Sequence, residues 1–476
     1  MDKPLRALNR FGLGARPGER GRVPDAQAWL RSQLDGGPPD LEAPPASTHQ
    51  AISQALRAFR EAGQGDEAKR REARQRLTQI AAADARATLL ARIGTDRPFV
   101  ERLVAFWSNH LCIASGAKVL VVPLAGAYER DAIRPHVLGR FEDMVMASAR
   151  HPAMLVYLDN FQSIGPGSTG ARAGRGNNRR GLNENYAREL LELHTLGVDG
   201  GYTQQDVQEL SKLLTGWTVD GLGGPGMPAQ PAMQMPGRGR GGRGRGMAPQ
   251  RPVAASGDIG FVFRPVLHEP GSKTILGARY SEGVTEGEKA IRALCRHEST
   301  ARFVATKLVT HFVADEPPPA AVDRLAGVFR KTDGDLRAVS AALIDLPEAW
   351  DAGARKFRTP QDWLVAVFRA FNSPEVPDTV APMLRQLRQP LWSPQSPKGF
   401  GDGTSEWADP DSLLNRAELA RTFARRLAQA RRDPRLLLDV VDVAPGDPLR
   451  AVLADTSIQP AERIALAFAG PVFQWR

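Results

Sequence analysis

Cysteine is scarce in this sequence. The 476 residues include two cysteines, Cys112 and Cys295, and these form no CxxC pair. A disulfide framework and a cysteine-rich metal site are therefore excluded, because both need several cysteines at characteristic spacings. A single long-range disulfide remains open, but the expected state is two buried thiols in a reducing compartment.

Long apolar runs are also missing. No window approaches the ~18 uninterrupted apolar residues of a membrane-spanning helix, so no membrane span is predicted. The first residues, MDKPLRALNRFGLGARPGERG, include basic side chains but no apolar segment, so they are not a signal peptide as written. We therefore expect a cytoplasmic protein, and export would require a start site upstream.

The common catalytic motifs are absent too. The sequence contains no phosphate loop, nucleophile elbow, zinc finger or dinucleotide-binding fingerprint. Each of these would indicate a class of chemistry from neighbouring residues alone. A reaction has to be sought in residues that tertiary structure brings together.

What the sequence does have is an excess of positive charge, most of which comes from two stretches. The formal net charge is +10, and residues 162–181 and 237–246 each carry four arginines and no acid. The second stretch, GRGRGGRGRG, resembles the arginine-glycine segments of RNA-binding proteins. Those segments interleave aromatic residues, whereas none occurs between Trp217 and Phe261. An insertion in a solvent loop is favoured, and nucleic-acid binding is not expected.

Helical periodicity dominates the chain. Apolar residues recur at three- and four-residue spacing in most segments, which predicts a mainly α protein. Strand-like alternation occurs in 258–263 and 273–280, which predicts a minor β element, a short hairpin. The predicted helices are 24–34, 48–61, 66–93, 97–114, 139–149, 183–196, 203–215, 285–311, 319–330, 335–345, 359–372, 378–388 and 410–431.

Composition divides the chain into three parts. Residues 1–219 form an N-terminal helical half and residues 258–476 a C-terminal one. Between them, residues 220–257 are rich in Gly, Pro, Met and Arg and too poor in apolar residues to offset the entropy of ordering. We expect this long low-complexity insertion to be disordered, and the two halves to pack as one body because polar motifs lie on both sides of it.

The densest polar motif is NENYARELLELHTLG, residues 183–197. Asn183 is a suitable N-cap, and Gly197 is a natural stop. On a projection of roughly 100° per residue, Glu189 borders the buried face and His194 falls inside it. These two polar residues are not explained by an amphipathic helix alone.

The remaining charges of this helix are explained by packing alone. Arg188 lies four residues from both Glu184 and Glu192, so it predicts a salt-bridged outer face. Thr203 and Asp206 predict a capping box at the start of the next helix.

Two further histidines have similar settings. His110, next to Asn109, lies on the apolar stripe of a helix, and His268 precedes a Pro-Gly turn. Three histidines with bordering carboxylates suit a metal site or a general acid/base pair. Since Glu189 and His194 are five positions apart, roughly 140° around a helix, they cannot bind one metal from one face. A divalent metal is a candidate cofactor only if tertiary structure brings the three histidines together.

The other histidines give no such signal. They lie at a helix entry, before a proline, or among charges in helices, and we interpret them as ordinary structural residues. They are His136, His151, His297 and His311.

A family resemblance rests on motifs spread along nearly the whole chain. The longest, NENYARELLELHTLGVDGGYTQQDVQELSKLLTGWTV (183–219), resembles the signature of the bacterial family catalogued as domain of unknown function 1800. The other matching stretches are LNRFGLGARPGE (8–19), FWSNHL (106–111), HEPGSKTILG (268–277), STARFVATKLVTHFVADEPP (299–318), KFRTPQDWLVAVFRA (356–370) and QPLWSPQSPKGF (389–400).

The resemblance implies a helix-rich protein without a settled activity. Members are often encoded beside a second uncharacterised family that resembles sulfatases and alkaline phosphatases, and many are thought to be exported. This chain departs from the family in lacking a signal, in its arginine-glycine insertion and in Glu269, where aspartate is common. The recurrent polar positions implied by the resemblance are Asn109, His110, Asn183, Asn185, Glu189, His194 and His268.

Two function hypotheses follow. The first is a hydrolytic or metal-assisted enzyme with a cleft between the halves. Glu189 would be its general base or a ligand, and His110, His194 and His268 would be ligands or proton carriers. Four residues would bind or orient the substrate: Asn109, Asn183, Asn185 and Arg188.

The alternative is a structural or partner-binding protein that acts with the sulfatase-like neighbour. Buried Asn and His would then be hydrogen-bonded to backbone and would specify the core. This hypothesis predicts that Asn183 and Asn185 bond neighbouring loops such as 198–203.

Overall fold

A computed structural model describes residues 2–62, 66–173, 181–222, 258–351, 353–372, 380–429 and 431–476. Most of the insertion, and with it the prediction of disorder there, lies outside these residues. The same is true of Arg175, Arg179 and Arg180 of the first arginine-rich stretch.

The described chain is mainly helical, as predicted. Most helices begin at a Pro, Asp, Thr or His that caps or fits the first turn, for example Asp66 and Thr359. The α-helices are α1 (Lys3–Arg6), α2 (Ala26–Ser32), α3 (His49–Glu61), α4 (Glu67–Gly94), α5 (Pro98–His110), α6 (Ala125–Tyr128), α7 (Phe141–Arg150), α8 (Pro152–Tyr157), α9 (Thr169–Ala173), α10 (Asn185–Glu189), α11 (Gln204–Leu213), α12 (Val284–Arg296), α13 (Glu298–Phe312), α14 (Pro319–Lys331), α15 (Leu336–Ile344), α16 (Pro360–Ala370), α17 (Val380–Gln386), α18 (Thr404–Trp407), α19 (Pro410–Gln429), α20 (Pro448–Ala454), α21 (Pro460–Ala469) and α22 (Pro471–Gln474).

Shorter helical turns supplement these helices. Three are π-helical, closed by i→i+5 hydrogen bonds: Ala7–Phe11, Glu129–Ile133 and Leu190–His194. The 3₁₀ turns are Arg20–Arg22, Pro45–Ser47, Val122–Leu124, Arg134–His136, Asn160–Gln162, Pro265–Leu267, Pro347–Trp350 and Pro434–Asp439.

The predicted helix over 285–311 is two helices in the structure. His297 has extended backbone (φ −64°, ψ 147°), and its Nδ1 accepts a hydrogen bond from the Ser299 N–H at 3.1 Å. The side chain thus caps α13 and ends the run of α12. The hydrophobic pattern continues across the break, so periodicity alone does not locate it.

Two small antiparallel sheets complete the architecture of the described residues. Strand β1 (Trp217–Asp220) pairs with β2 (Gly260–Phe263), and β3 (Lys273–Ile275) pairs with β4 (Ala278–Tyr280) as a hairpin. The minor β element expected in 258–263 and 273–280 is therefore present. The partner of β2 comes from before the insertion, since Trp217 faces Phe263 and Asp220 faces Gly260.

Residues from before and after the insertion share one hydrophobic core. The ring of Phe11 stacks on Phe312 at 6.0 Å and on Trp350 at 5.2 Å, and Phe99 meets Phe312 edge-on at 5.8 Å. Polar contacts join the same parts of the chain, because Arg102 of α5 pairs with Asp362 of α16 at 2.9 Å. This packing places α5, α13 and α16 around the candidate site.

Both cysteines are free and buried, as expected. Burial raises the pKa of the Cys112 thiol to about 12 and that of Cys295 well above its usual range. None of the helices in the described residues combines the length and the apolar character needed to cross a membrane.

Candidate functional site

The motif 183–197 begins with a short α-helix and continues as a π turn. Helix α10 covers Asn185–Glu189, and the π turn covers Leu190–His194. The wider turn breaks the 100° spacing on which the projection of Glu189 and His194 relied. Gly197 has φ 86°, so the chain turns away at the predicted position.

The predicted N-cap differs in detail. The helix begins at Asn185 after Glu184, and the Asn183 Oδ1 accepts the Asn185 N–H at 2.8 Å. The Asn185 amide donates weakly to the Leu158 carbonyl at 3.5 Å. Asn183 therefore bonds the start of its own helix, and Asn185 bonds the carbonyl of Leu158. The prediction that these amides bond the loop 198–203 is wrong.

Arg188 lies on the outer face of this helix. Its guanidinium pairs with Glu184 at 3.2 Å and Glu192 at 3.5 Å, and it donates to Gln204 at 2.8 Å. The capping box of Thr203 and Asp206 is present as predicted. Packing and surface charge therefore account for Arg188.

The fold brings His110 and His194 together. The His110 Nε2 lies 3.1 Å from the His194 carbonyl, so Nε2–H donates and Nδ1 is left as an acceptor. That Nδ1 and the Nε2 of His194 are buried without partners among the described residues. Burial, helped by the charge of Lys307, lowers the His110 pKa to about 3, and burial lowers that of His194 to about 4. Both rings are neutral at pH 7.

His268 is held elsewhere by its own bonds. Its Nε2 accepts the Gly283 N–H at 3.0 Å, which leaves Nδ1–H to donate to the Thr215 carbonyl at 2.9 Å. Both ring nitrogens are thus engaged in joining the end of α11 to the start of α12. Burial lowers the pKa of this imidazole, and the bond to Thr215 opposes that effect.

A three-histidine metal centre does not form in the described part of the chain. There, no group of three His, Cys, Asp or Glu side chains is arranged to hold a metal ion.

Asn109 forms two hydrogen bonds with the loop before α18. Its Nδ2 donates to the Phe400 carbonyl at 2.9 Å, and its Oδ1 accepts the Phe400 N–H at 2.8 Å. Both ends of the amide are used, as in a strand pair. Asn109 therefore fixes the loop around Phe400 against α5.

Glu189 is half-buried and carries a perturbed carboxyl. Burial raises its pKa, the neighbouring Glu192 raises it further, and Arg188 opposes both. The charge of Glu189 helps to raise the pKa of Cys112 and that of Tyr157, so Glu189 lies near both residues.

A pair that the sequence analysis passed over lies beside these residues. The His311 Nδ1 is 2.7 Å from the Asp402 Oδ1, and each side chain is 10% exposed. The His311 Nε2 is buried and has no partner among the described residues. We call these two residues the dyad.

The charges around the dyad fix its protonation. Burial favours neutral Asp402, but His311, Lys307 and Lys356 outweigh it and lower the Asp402 pKa to about 2. Burial also lowers the pKa of His311, against the pull of Asp402. At neutral pH the carboxylate is ionised and the imidazole is neutral, with its Nδ1–H directed at Asp402.

The dyad lines a cavity of about 60 Å³, the dyad cavity. Asn109, Cys112 and Asp362 line it as well. Its volume suffices for a few water molecules, and its polar walls offer them hydrogen bonds. Of the three described histidines that have a buried ring nitrogen without a partner, His110, His194 and His311, His311 is the one that lines this cavity.

The dyad and the predicted histidine pair are neighbours. The Phe106 ring lies 5.3 Å from His311 and 6.2 Å from His110, and the charge of Lys307 acts on both His110 and Asp402. Of the sequence-predicted residues, His110 contacts His194, and Asn109 lines the dyad cavity. The charge of Glu189 acts on Cys112 of the same cavity, while His268 and Arg188 are bonded elsewhere.

The two residues of the dyad lie in or close to two separate motifs of the sequence. His311 lies in one motif of the family resemblance, and Asp402 follows another by two residues. The interpretation of His311 as an ordinary structural residue did not anticipate its contact with Asp402, which is 91 residues away in the sequence.

The chain belongs to the family described as "Protein of unknown function (DUF1800)", whose model matches residues 6–475. No curated protein and no solved structure matches it.

Proposed function

We propose that this protein is a hydrolase in which His311, oriented by Asp402, activates a water molecule. The observation that carries this proposal is the His311 Nε2, which is unpartnered beside the dyad cavity while Nδ1 is held by a carboxylate. In such an arrangement the carboxylate fixes the tautomer and leaves the lone pair on Nε2.

The proposed step needs groups that this chain supplies. A water in the dyad cavity gives a proton to His311 Nε2 and attacks an electrophilic carbon, phosphorus or sulfur of the substrate. The resulting imidazolium is stabilised by the Asp402 carboxylate, and it returns its proton to the leaving group. The lowered pKa of His311 keeps the imidazole in its basic form at neutral pH.

Water is a better nucleophile here than the nearby thiol. Cys112 lines the same cavity, but burial raises its pKa to about 12, and its Sγ contacts the Pro397 carbonyl at 3.1 Å. A thiol with that pKa yields almost no thiolate at pH 7. The proposal therefore involves no covalent enzyme intermediate.

The sequence-predicted residues take supporting roles in this proposal. Asn109 positions the Phe400 loop that precedes Asp402, and His110 ties α5 to the carbonyl of His194. Glu189, with its raised pKa, is a candidate second proton carrier. Since the described donors offer no three-ligand group, no step is assigned to a metal.

The test is a hydrolysis panel of nitrophenyl esters, phosphates and sulfates. We expect His311→Gln to lower kcat roughly 100-fold or more with KM nearly unchanged, the range of a lost general base. Asp402→Asn should lower kcat in the same direction, while His136→Gln serves as the matched control. Equal turnover by His311→Gln and the wild type, or no turnover of the panel by the wild type, would refute the proposal.

A structural or partner-binding function is the second candidate. It is favoured by Asn109, His110 and His268, which bond backbone groups rather than open space. The expected partner is the sulfatase-like protein implied by the family resemblance. Co-purification that survives His311→Gln, together with a hydrolysis panel without turnover, would support this candidate.

A further inference from the structure

A second, larger cavity lies away from the dyad. Its volume is about 410 Å³, within the usual size range of small-molecule sites. The lining comes from residues 2–9, 354–358, 441–447 and 471–476. We call it the arginine cavity.

Arg358 supplies an unused hydrogen-bond donor in the wall of this cavity. It is 2% exposed, its Nη2 donates to the Asn9 Oδ1 at 2.6 Å, and its guanidinium lies 4.6 Å from the Phe473 ring. Its Nη1 is buried and has no partner among the described residues. A buried charged donor without an acceptor is costly, so this geometry favours an acceptor from a ligand.

The surroundings hold more positive than negative charge. Burial and the charges of Arg102, Arg476 and Arg416 together lower the pKa of Arg358 to about 9, against the opposing carboxylate of Asp362. That carboxylate already pairs with Arg102 at 2.9 Å and Arg476 at 3.4 Å. An additional anion would offset the remaining charge.

The carboxylates at the rim of the cavity have other partners. Asp2 caps α1 and pairs with Arg20, and Asp447 caps α20. Asp442 accepts the Asp2 N–H at 3.4 Å. These acids therefore do not reach the buried Nη1 of Arg358 as hydrogen-bond partners.

Apolar side chains make up about half of the remaining lining. Leu5, Val441, Val472 and Trp475 line the same space. A ligand that fits these walls has an apolar or aromatic body and one charged end.

We propose that the arginine cavity binds a small organic anion whose carboxylate or phosphate group accepts a hydrogen bond from Arg358. The apolar body of the ligand packs against Val472 and Trp475. This site is distinct from the dyad cavity, and the inference does not rest on the proposed hydrolysis.

The test is calorimetric titration of the full chain with benzoate, phenyl phosphate and the neutral analogue phenol. We expect saturable binding of at least one anion at one site, and no comparable binding of phenol. Arg358→Met should weaken binding about tenfold or more, the loss of one charge-assisted hydrogen bond. Whichever anion binds identifies the group as carboxylate or phosphate.

Further variants test whether a loss of binding comes from misfolding, and whether binding occurs in the arginine cavity rather than in the dyad cavity. Ala444→Trp places a bulky ring in the cavity from an exposed rim position and should also abolish binding. Arg302→Met, at an arginine of an exposed ion pair, and His311→Gln should bind as the wild type does. The inference is overturned if the wild type binds neither anion, if phenol binds equally well, or if folded Arg358→Met and Ala444→Trp both bind normally.

Discussion

The Nδ1 of His311 lies 2.7 Å from a carboxylate oxygen of Asp402, 91 residues further along the chain. One residue comes from the last turn of α13 and the other from the loop before α18. Asn109 holds that loop by both ends of its amide, through Phe400. The pairing of His311 with Asp402 thus depends on α5 as a third element.

The dyad should leave a signature in the pH dependence of stability. Asp402→Asn removes a carboxylate whose pKa is lowered from 3.8 to about 2 in the folded chain. A lowered folded-state pKa stabilises the fold above the unfolded value and loses that contribution as pH falls. We expect the difference in unfolding free energy between wild type and variant to shrink as the pH falls from about 4 towards 2, measured by urea unfolding.

Asp323→Asn is the matched control, because Asp323 is 61% exposed in its ion pair with Arg302. Its effect should stay within about 0.5 kcal/mol at every pH. A difference for Asp402→Asn that grew as the pH fell from about 4 to 2 would contradict the assigned direction of the Asp402 pKa.

His268 should prove to be a stability residue. His268→Ala leaves the Gly283 N–H and the Thr215 carbonyl without partners, which we expect to cost about 2–4 kcal/mol. His268→Gln, which can restore one of the two bonds, should recover part of that loss. Thermal unfolding gives the stability, and turnover per folded molecule should equal that of the wild type. A large drop in turnover by a stably folded variant would place His268 in catalysis instead.

The carboxylate of Glu129 should be among the costliest to remove. It is 0% exposed and receives bonds from Arg92 at 3.2 Å, Arg134 at 3.0 Å and the Trp392 indole at 2.9 Å. Glu129→Gln leaves the buried guanidinium of Arg92 without its charge partner and leaves that of Arg134 with Glu101 alone. We expect a loss of about 3–5 kcal/mol by urea unfolding. A loss as small as that of Asp323→Asn would show that the buried pairs contribute little net stability.

Substitutions at Gly197 and Gly201 should distinguish the cost of backbone strain from the cost of a steric clash. Gly197 and Gly201 both have φ 86°, but a Cβ at Gly197 would lie 2.9 Å from the Phe303 ring, while none at Gly201 meets anything within 4 Å. Gly201→Ala should cost about 1 kcal/mol from backbone conformation alone. Gly197→Ala should cost roughly 1–3 kcal/mol more, from the clash. Equal losses in chemical unfolding would mean that Phe303 moves aside freely.

Local sequence signals predicted local structure well. The capping box of Thr203 and Asp206 and the turn at Gly197 follow from residue types at fixed spacing. The π turn at Leu190–His194 does not, because a helical projection assumes one angular step per residue throughout. The positions of Glu189 and His194 relative to each other were therefore beyond sequence reasoning.

Long-range pairings were the other gap. Strand β1 was not predicted, because its partner β2 comes after the insertion and the alternation of Trp217–Asp220 is short. The dyad was missed for the same physical reason: His311 has no ligand-like neighbour on its own helix. The resemblance singled out Asn109, His110 and His194 as recurrent polar positions, but it left open whether His110 and His194 meet in the fold.

The antiparallel ladder of β1 and β2 has a consequence for chain length. Pairing of Asp220 with Gly260 fixes the two ends of the intervening stretch at neighbouring-strand distance, whatever its length. Closing a loop costs only about 0.6 kcal/mol more for each doubling of its length. The stretch could therefore lengthen or shorten over evolutionary time, or be exchanged by an engineer for a tight turn or a foreign module, while the register of Trp217 opposite Phe263 stays the same.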